Sequence, residues 1–581
     1  MHQRCLMGRL KFALLCGALA VACGADGSRA GSLPTPPSGP GAGDTMNGGA
    51  GRDAAVPLPP EREERRNFQT PQAGGRYVYI ANPRRDTVAV VDSRTLAIQT
   101  VEVGDQPTYL QTVPGRDVAV VLNVGSDNAS VVRTADGASR VTFLPTIPGA
   151  TAVAVAPDGL HAVAYVDTET TGATPRAGSF QDLSVLFLEE GRERSVQLSV
   201  GFRPLEVTFA RDGQAAFVVT EDGISILRFS EVTAPTIIPN VSLADPDSRT
   251  LPIDPPSTGV DSGVDAGGDA TAGDASADAV GDATDGTTDG ARVFTQVDAR
   301  DVSVTPDGRY GIARVEGTGL LRLLDLQSRT IVALDAGTAV TDLDLSPDGT
   351  FALAVLRGRS TVLRVPIPMA FEAPSMVTRT ELPGELVGSV TIAPDGRRAL
   401  AYTTASPVER VTLLDLSGGA PSLVRLRKAV RAVAFAPDSR TALVVHARAA
   451  GDPNDPAADL ETRIDRSFGY TLVDLATRFA KLQLTPAELG PLGVVPDGTY
   501  AFVLLRDDMA RVAQAHRVSL RSFTVQTLGL GSPPTSVGAV PLTMRVFIGQ
   551  EHPEGRITFV DWATGASQSV TGFELNSRIV E

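Results

Sequence analysis

From about residue 76 to the end of the chain, short apolar runs alternate with polar breaks, and nowhere in this stretch is helical spacing sustained. Runs such as Val153-Ala154-Val155 and Ala162-Val163-Ala164-Tyr165, or Val302-Ser303-Val304 and Tyr500-Ala501-Phe502-Val503-Leu504, are β-rich and bounded by turn residues. That pattern predicts strands paired as hairpins. The break between the first two runs of a unit reads Pro-Asp-Gly at 157–159, 306–308, 347–349, 394–396 and 496–498, with worn copies at Arg211-Asp212-Gly213 and Pro437-Asp438-Ser439. Proline presets the first central turn position, aspartate bonds back to the turn backbone, and glycine accepts a positive φ.

A third run often ends in aspartate, as in Val88-Ala89-Val90-Val91-Asp92, Leu321-Arg322-Leu323-Leu324-Asp325 and Ile557-Thr558-Phe559-Val560-Asp561. A more polar fourth run, such as Ile98 to Val103, closes the unit. A tandem repeat with a period of roughly 40 to 60 residues indicates a repeat architecture. Four antiparallel strands per unit make the blade of an all-β propeller. Degenerate turns at Val113-Pro114-Gly115-Arg116 and Val540-Pro541-Leu542-Thr543 bring the units that begin with an inner strand to nine. The segment from Arg76 to Val103 begins instead with a second strand. Ser577-Arg578-Ile579-Val580 is the candidate to supply its missing inner strand and close one ring of about ten units.

Tyr79-Ile80-Ala81-Asn82, then Asp86 to Asp92, then Val103-Gly104-Asp105-Gln106-Pro107 resembles the YVTN-type (Tyr-Val-Thr-Asn) propeller repeat of bacterial and archaeal cell-surface proteins. The resemblance runs from about Arg76 to the end, although later units drift from the tetrapeptide. It implies a propeller and says little of function, because propellers host many unrelated activities.

Two biased segments change the domain picture. Arg4, Arg9 and Lys11 accompany the apolar run Phe12 to Val21, which predicts a secretory signal over 1–22. Leu19-Ala20-Val21-Ala22-Cys23-Gly24 resembles a bacterial lipoprotein box, with Ala20 where leucine is usual. The resemblance implies lipidation at Cys23 and an outer-membrane location, periplasmic or surface-exposed. Residues 23–75 are rich in Gly, Pro, Ser and Ala and predict a disordered tether, spanning on the order of 40 Å. The propeller is expected over 76–581, interrupted at 250–292 by a Gly/Ala/Thr segment carrying Asp261, Asp265, Asp269, Asp274, Asp278, Asp282, Asp285 and Asp289 without a basic residue. Their spacing does not reproduce the alternate-residue ligands of an EF-hand loop, so this reads as an acidic, solvated linker.

Composition narrows the chemistry. A net charge of −15 disfavours nucleic acid or anionic lipid as partners held by charge. All three cysteines, Cys5, Cys16 and Cys23, lie within the first 23 residues, so no disulfide or cysteine metal site is expected in the propeller. His161, His446, His516 and His552 are scattered singly, without a metal-ligand spacing, and read as structural positions. No metal or cofactor is expected. The single Trp562 argues against the tryptophan docking repeats of quinone-cofactor propellers.

Placement of the longer breaks gives the functional expectation. In a four-stranded meander the first-to-second and third-to-fourth connections share one face, and second-to-third and blade-to-blade connections share the other. The breaks at Asp167–Asp182, Ala447–Ser467 and Arg506–Gln514, and the acidic linker, all fall on the second face. Repeat proteins commonly concentrate insertions on a binding face. Arg463, Asp465, Arg466, Asp507, Asp508 and Arg511 are therefore candidate contacts for a protein or cell-envelope polymer, in a protein held at the membrane by its lipid anchor. The competing expectation is a lactonase- or esterase-like hydrolase with a metal in the central channel, because lactonase-type propellers share similar Pro-Asp-Gly repeats. Its candidate channel charges are Glu206, Asp301, Asp342 and Arg431.

Overall fold

The computed structural model describes residues 73–113, 115–167, 180–243, 249–253, 299–507, 512–552 and 555–573. The expected signal segment, Cys23, almost all of the expected tether and the eight aspartates of the expected linker lie outside the described residues. What is described is a ring of ten sheets, one per repeat unit, forming a β-propeller. Blades 2 to 10 begin with innermost strands starting at Pro107, Ala152, Pro204, Ala299, Asp342, Ser389, Val430, Leu489 and Pro534. Blade 1 shows three strands, β1 (Tyr77–Asn82), β2 (Thr87–Asp92) and β3 (Ile98–Glu102).

The turn chemistry works as the sequence predicts. In each Pro-Asp-Gly copy the glycine N–H closes the turn on the carbonyl preceding proline, as in Gly159 to Ala156 at 2.9 Å and Gly308 to Thr305 at 2.7 Å. The glycines have φ between 67° and 75°, and the aspartate Oδ1 accepts the N–H two residues on: Leu160, Arg309, Thr350, Arg397 and Thr499. These turns also stack around one face of the ring. A Cβ on Gly213 would meet Asp158, one on Gly308 would meet Phe217, and one on Gly349 would meet Pro306, each in the preceding blade.

The aspartates ending third strands organise the next hairpin. Asp92, Asp325, Asp474 and Asp561 each accept the backbone N–H two and three residues on. Backbone N–H bonds and a threonine hydroxyl hold Asp474 and Asp561 below the usual carboxylate range. Burial pushes Asp92 up, but Arg76 and the Arg94 and Thr95 N–H groups outweigh it and set its pKa at about 2.

The core is a series of clusters between adjacent blades. Strand alternation sends one set of side chains to each neighbour. Tyr77, Tyr79, Val88 and Val90 pack with Ala119, Val121 and Val132 of blade 2. Val78, Ala89 and Val91 pack with Val540, Phe547, Ile557 and Phe559 of blade 10. The ring thus closes through packed core on both sides of blade 1.

Three expectations are corrected. The linker does not begin at 250: Arg249–Pro252 forms a fifth strand, parallel to the outer strand Thr330–Asp335 of blade 5. Blade 3 likewise takes a parallel fifth strand, Thr236–Ile237, from the third-to-fourth connection of blade 4. In both, the unpaired outer edge attracts a backbone partner that short-range pattern does not reveal. The break at 506–514 is largely hairpin, since Arg506 pairs with Ala513 and Asp507 with Val512. Finally, the chain enters β1 through a reverse turn from Ala73, with an Ala73–Val78 bridge, so blade 1 has a preceding partner at one end. The candidate closing segment 577–580 lies outside the described residues.

Candidate functional site

The face opposite the Pro-Asp-Gly turns carries the second-to-third and blade-to-blade connections. Among the described residues its largest feature is the insertion 447–467 of blade 8, between strands Thr441–His446 and Phe468–Asp474. It contains the helix α1 (Leu460–Arg466), although helical spacing is not sustained in this part of the sequence. Asp459 caps it by accepting the Thr462 N–H at 2.7 Å, with Glu461 in the first turn and Arg463 and Arg466 in the last. These N-cap and charge signals are present in the sequence, but seven residues are too few for an apolar period to stand out.

The insertion is held as a built knob rather than a loose loop. Arg466 Nη1 donates to Asp455 Oδ2 at 3.1 Å, and Arg463 Nη2 donates to Pro456 O at 3.0 Å. Arg448 Nε donates to Arg466 O at 2.8 Å, while its guanidinium lies 4.6 Å from the centre of the Phe468 ring. The Ala449 N–H donates to Asp465 O at 2.9 Å. Beneath the helix lies Lys428, fully buried, whose Nζ donates to Ile464 O at 2.6 Å and Asp465 O at 2.8 Å. A cation on the last carbonyls of a helix satisfies orphan acceptors and complements the helix dipole. Burial pushes the Lys428 pKa down, and Asp465 and Glu409 partly offset this. No sequence pattern singled out Lys428, because its role depends on a helix thirty residues away.

Of the six candidate contacts, Arg463, Asp465 and Arg466 come together on this knob, and their hydrogen bonds support its shape. Asp507 ends the second strand of the adjacent blade 9 on the same face. Asp508 and Arg511 lie outside the described residues. The knob projects Leu460, 70% exposed, beside the exposed Arg427–Glu461 pair at 3.7 Å.

Charge pairs line the same face around the ring. Arg203 pairs with Glu221, Arg314 with Asp301, and Arg431 with Glu488. Arg410 pairs with Glu385 and Arg506 with Glu551, each at 2.5 Å. Two of the expected channel charges, Asp301 and Arg431, are thus in ion pairs. Asp342, which is buried, accepts the Val390 N–H at 2.6 Å, and Asp344 accepts the Ile392 N–H at 2.7 Å. These carboxylates satisfy backbone groups on the next blade's innermost strand, as the Gln111 side chain does for Val155 N at 3.0 Å. Among the described residues no three His, Cys, Asp or Glu side chains converge as a metal site.

Three of the histidines, His161, His446 and His516, pack within or between blades. His446 Nδ1 faces Ala429 O at 3.1 Å and Nε2 faces Thr471 Oγ1 at 2.6 Å. The carbonyl can only accept, so Nδ1 carries the proton and Thr471 donates to Nε2. Burial lowers its pKa to about 4, and the nearby Lys428 charge acts in the same direction. His516 Nδ1 lies 3.1 Å from the Tyr470 hydroxyl of blade 8, and burial lowers its pKa. His161 stacks on Phe229 at 4.2 Å and pairs with Asp158 at 2.9 Å.

No protein-family model and no curated protein matches the chain. Among solved structures, it is similar to dihydro-heme d1 dehydrogenase NirN in complex with DHE, with 12% identity, 70% of this chain and 77% of that chain covered, and a TM-score of 0.38. A eukaryotic initiation factor is similar at 10% identity over 79% of this chain and 96% of its own, with a TM-score of 0.42. For Kuenenia stuttgartiensis hydrazine synthase the values are 15%, 63%, 98% and 0.28. At such identities and scores these likenesses carry no functional argument.

Proposed function

We propose that this is a lipid-anchored cell-envelope protein whose β-propeller binds a protein or envelope polymer, without catalysis, through the face bearing the 447–467 knob. The observation that carries the reading is the construction of the knob. A buried lysine and three arginines fix a helix that presents exposed Leu460 and the Arg427–Glu461 pair on a face otherwise laced with ion pairs. Ordered insertions on one face of a repeat scaffold suit recognition. A hydrolase of the lactonase kind would need inner-strand charges to converge on an ion. Asp301 and Arg431 instead pair with Arg314 and Glu488, and Asp342 holds the next blade's backbone.

Two experiments test the two parts. Labelling with a palmitate analogue, compared between the native protein and Cys23→Ala after membrane fractionation, should give a signal in the outer-membrane fraction that the substitution abolishes. A soluble, unlabelled native protein would remove the anchor. Deletion of 450–466 should abolish recovery of envelope components seen with the intact chain; unchanged recovery would remove the knob from the binding surface.

A further inference from the structure

We propose that the groove along the outer edge of blade 3, beside Arg194–Gln197, binds an extended peptide segment of a partner protein, which adds as a further strand and presents an acidic side chain to Arg194. The site lies on the rim of the ring. It is independent of the anchor and of the face bearing α1.

The strand register leaves this edge open. The outer strand of blade 3, Arg194–Ser199, pairs antiparallel with Asp182–Phe187. The Val200 N–H donates to Gln181 O at 2.7 Å, so alternation turns the backbone groups of residues 194, 196 and 198 inward to that neighbour and those of 195, 197 and 199 outward. The outward set already accepts a strand at one end. Thr236–Ile237 pairs in parallel with Leu198–Ser199, and the Ile238 N–H donates to Ser199 O at 2.8 Å. That pairing stops at Thr236, because a bend at Thr233 and Ala234 takes the preceding chain off the edge and Pro235 has no N–H to give to it. Among the described residues no strand pairs with Arg194–Gln197 on this side. The Ser195 N–H and carbonyl and the Gln197 N–H therefore face the gap.

The gap is a walled groove of about 410 Å³. Pro145 of blade 2 forms one wall, Thr233, Ala234 and Pro235 of blade 4 form the other, and Arg194–Gln197 form the floor. At 3.3 Å per residue that floor is about 10 Å long, enough for a strand of about three residues. Side chains hold both walls in place. Gln197 Nε2 donates to Thr146 O, in the connection from blade 2 to blade 3, at 3.2 Å, and Arg194 Nη2 donates to Val232 O at 3.1 Å. The Arg194 guanidinium lies 3.6 Å from the centre of the Phe187 ring, and among the described residues it is in no ion pair. A guanidinium fixed over a ring at the end of an open strand edge, with N–H groups to spare, complements a carboxylate. Strand addition supplies main-chain bonds to any extended sequence, and the charge sets the preference.

Selection of random heptapeptides displayed on phage against the purified full chain tests this. Retained peptides should carry an aspartate or glutamate within a β-prone run and, added as free amidated peptides, should slow amide exchange within 194–197. Arg194→Gln should weaken their binding about tenfold. Ser195→Pro, a change an edge strand tolerates, should abolish it. N-methylation of alternate backbone nitrogens of the peptide should weaken binding in one register and spare it in the other, which tests the main-chain pairing even where a variant of the protein fails to fold. Retention of no peptide, protection confined to other parts of the ring, unchanged binding by either variant, or indifference to N-methylation overturns the proposal.

Discussion

The hydroxyls of Ser93 and Thr543 lie 2.7 Å apart although 450 residues separate them along the chain. Ser93 belongs to the third-to-fourth turn of blade 1 and Thr543 to the first-to-second turn of blade 10. Arg545 Nη1 reinforces the junction by donating to Ser93 O at 2.8 Å. Together with the shared core of the two blades, this bond closes the ring at its seam. Thr543→Val should lower unfolding stability by about 1 kcal/mol, since it leaves the fully buried Ser93 hydroxyl with one partner fewer. Denaturant unfolding checks it: the midpoint should fall while the m-value stays unchanged.

Two glycines distinguish backbone strain from lack of space. Gly308 has φ of 71° and a Cβ there would lie 2.0 Å from Phe217 Cζ, whereas Gly384 has φ of 80° with nothing within 4 Å. Gly384→Ala should cost only the left-handed penalty of about 1 kcal/mol. Gly308→Ala should cost that and a displaced buried ring as well, on the order of 3 kcal/mol in all. Comparable losses for the two variants would show that the turns do not nest on the preceding blade.

Lys428→Met should loosen the knob more than the ring. It removes two bonds from the carbonyls of α1 and leaves a buried apolar stem of similar length, so local opening of 447–467 should become easier by roughly 1 to 3 kcal/mol. Limited proteolysis and amide exchange should register the change within 447–467, with little shift in the global Tm. Exchange that rises evenly over all blades would contradict a local role.

His446 gives a stability slope with a definite sign. Its folded pKa of about 4 lies below the usual 6.5, so between these values the unfolded chain binds more protons than the folded one. Stability is therefore intact above pH 6.5 and falls as pH is lowered toward 4, by on the order of 1 kcal/mol per unit. His516 shifts in the same direction. The carboxylates of Asp92, Asp415, Asp474 and Asp561 are held low, so their contribution is lost only as pH falls below about 4. Urea titrations from pH 7 to 4.5 should show a shallower slope for His446→Gln than for the native chain.

Much of the fold was legible because its signals are local. A hairpin needs only two β-rich runs and a turn of the right chemistry, and Pro-Asp-Gly closes that turn through hydrogen bonds within a few residues, Gly to the carbonyl before proline and Asp to the N–H two residues on. The aspartates ending third strands were visible in the sequence for the same reason. The fifth strands at 236–237 and 249–252 were not, because they are recruited by the unpaired edge of a neighbouring blade and carry little pattern of their own. The length of the 447–467 break is legible in the sequence, yet its support from Lys428 and Arg448 is not, since each meets carbonyls that only the folded insertion brings to it.

The sequence by itself determined the strand, the hairpin, the repeat and which connections share a face, because each follows from alternation, turn geometry and antiparallel order. The tertiary structure decided what the charged and polar side chains do. Asp301 and Arg431 became ion pairs, Asp342 a backbone acceptor, His446 a neutral core residue, and the chain entered blade 1 through Ala73. Those outcomes depend on which side chains from different blades meet, and sequence order does not specify such meetings until the ring has closed.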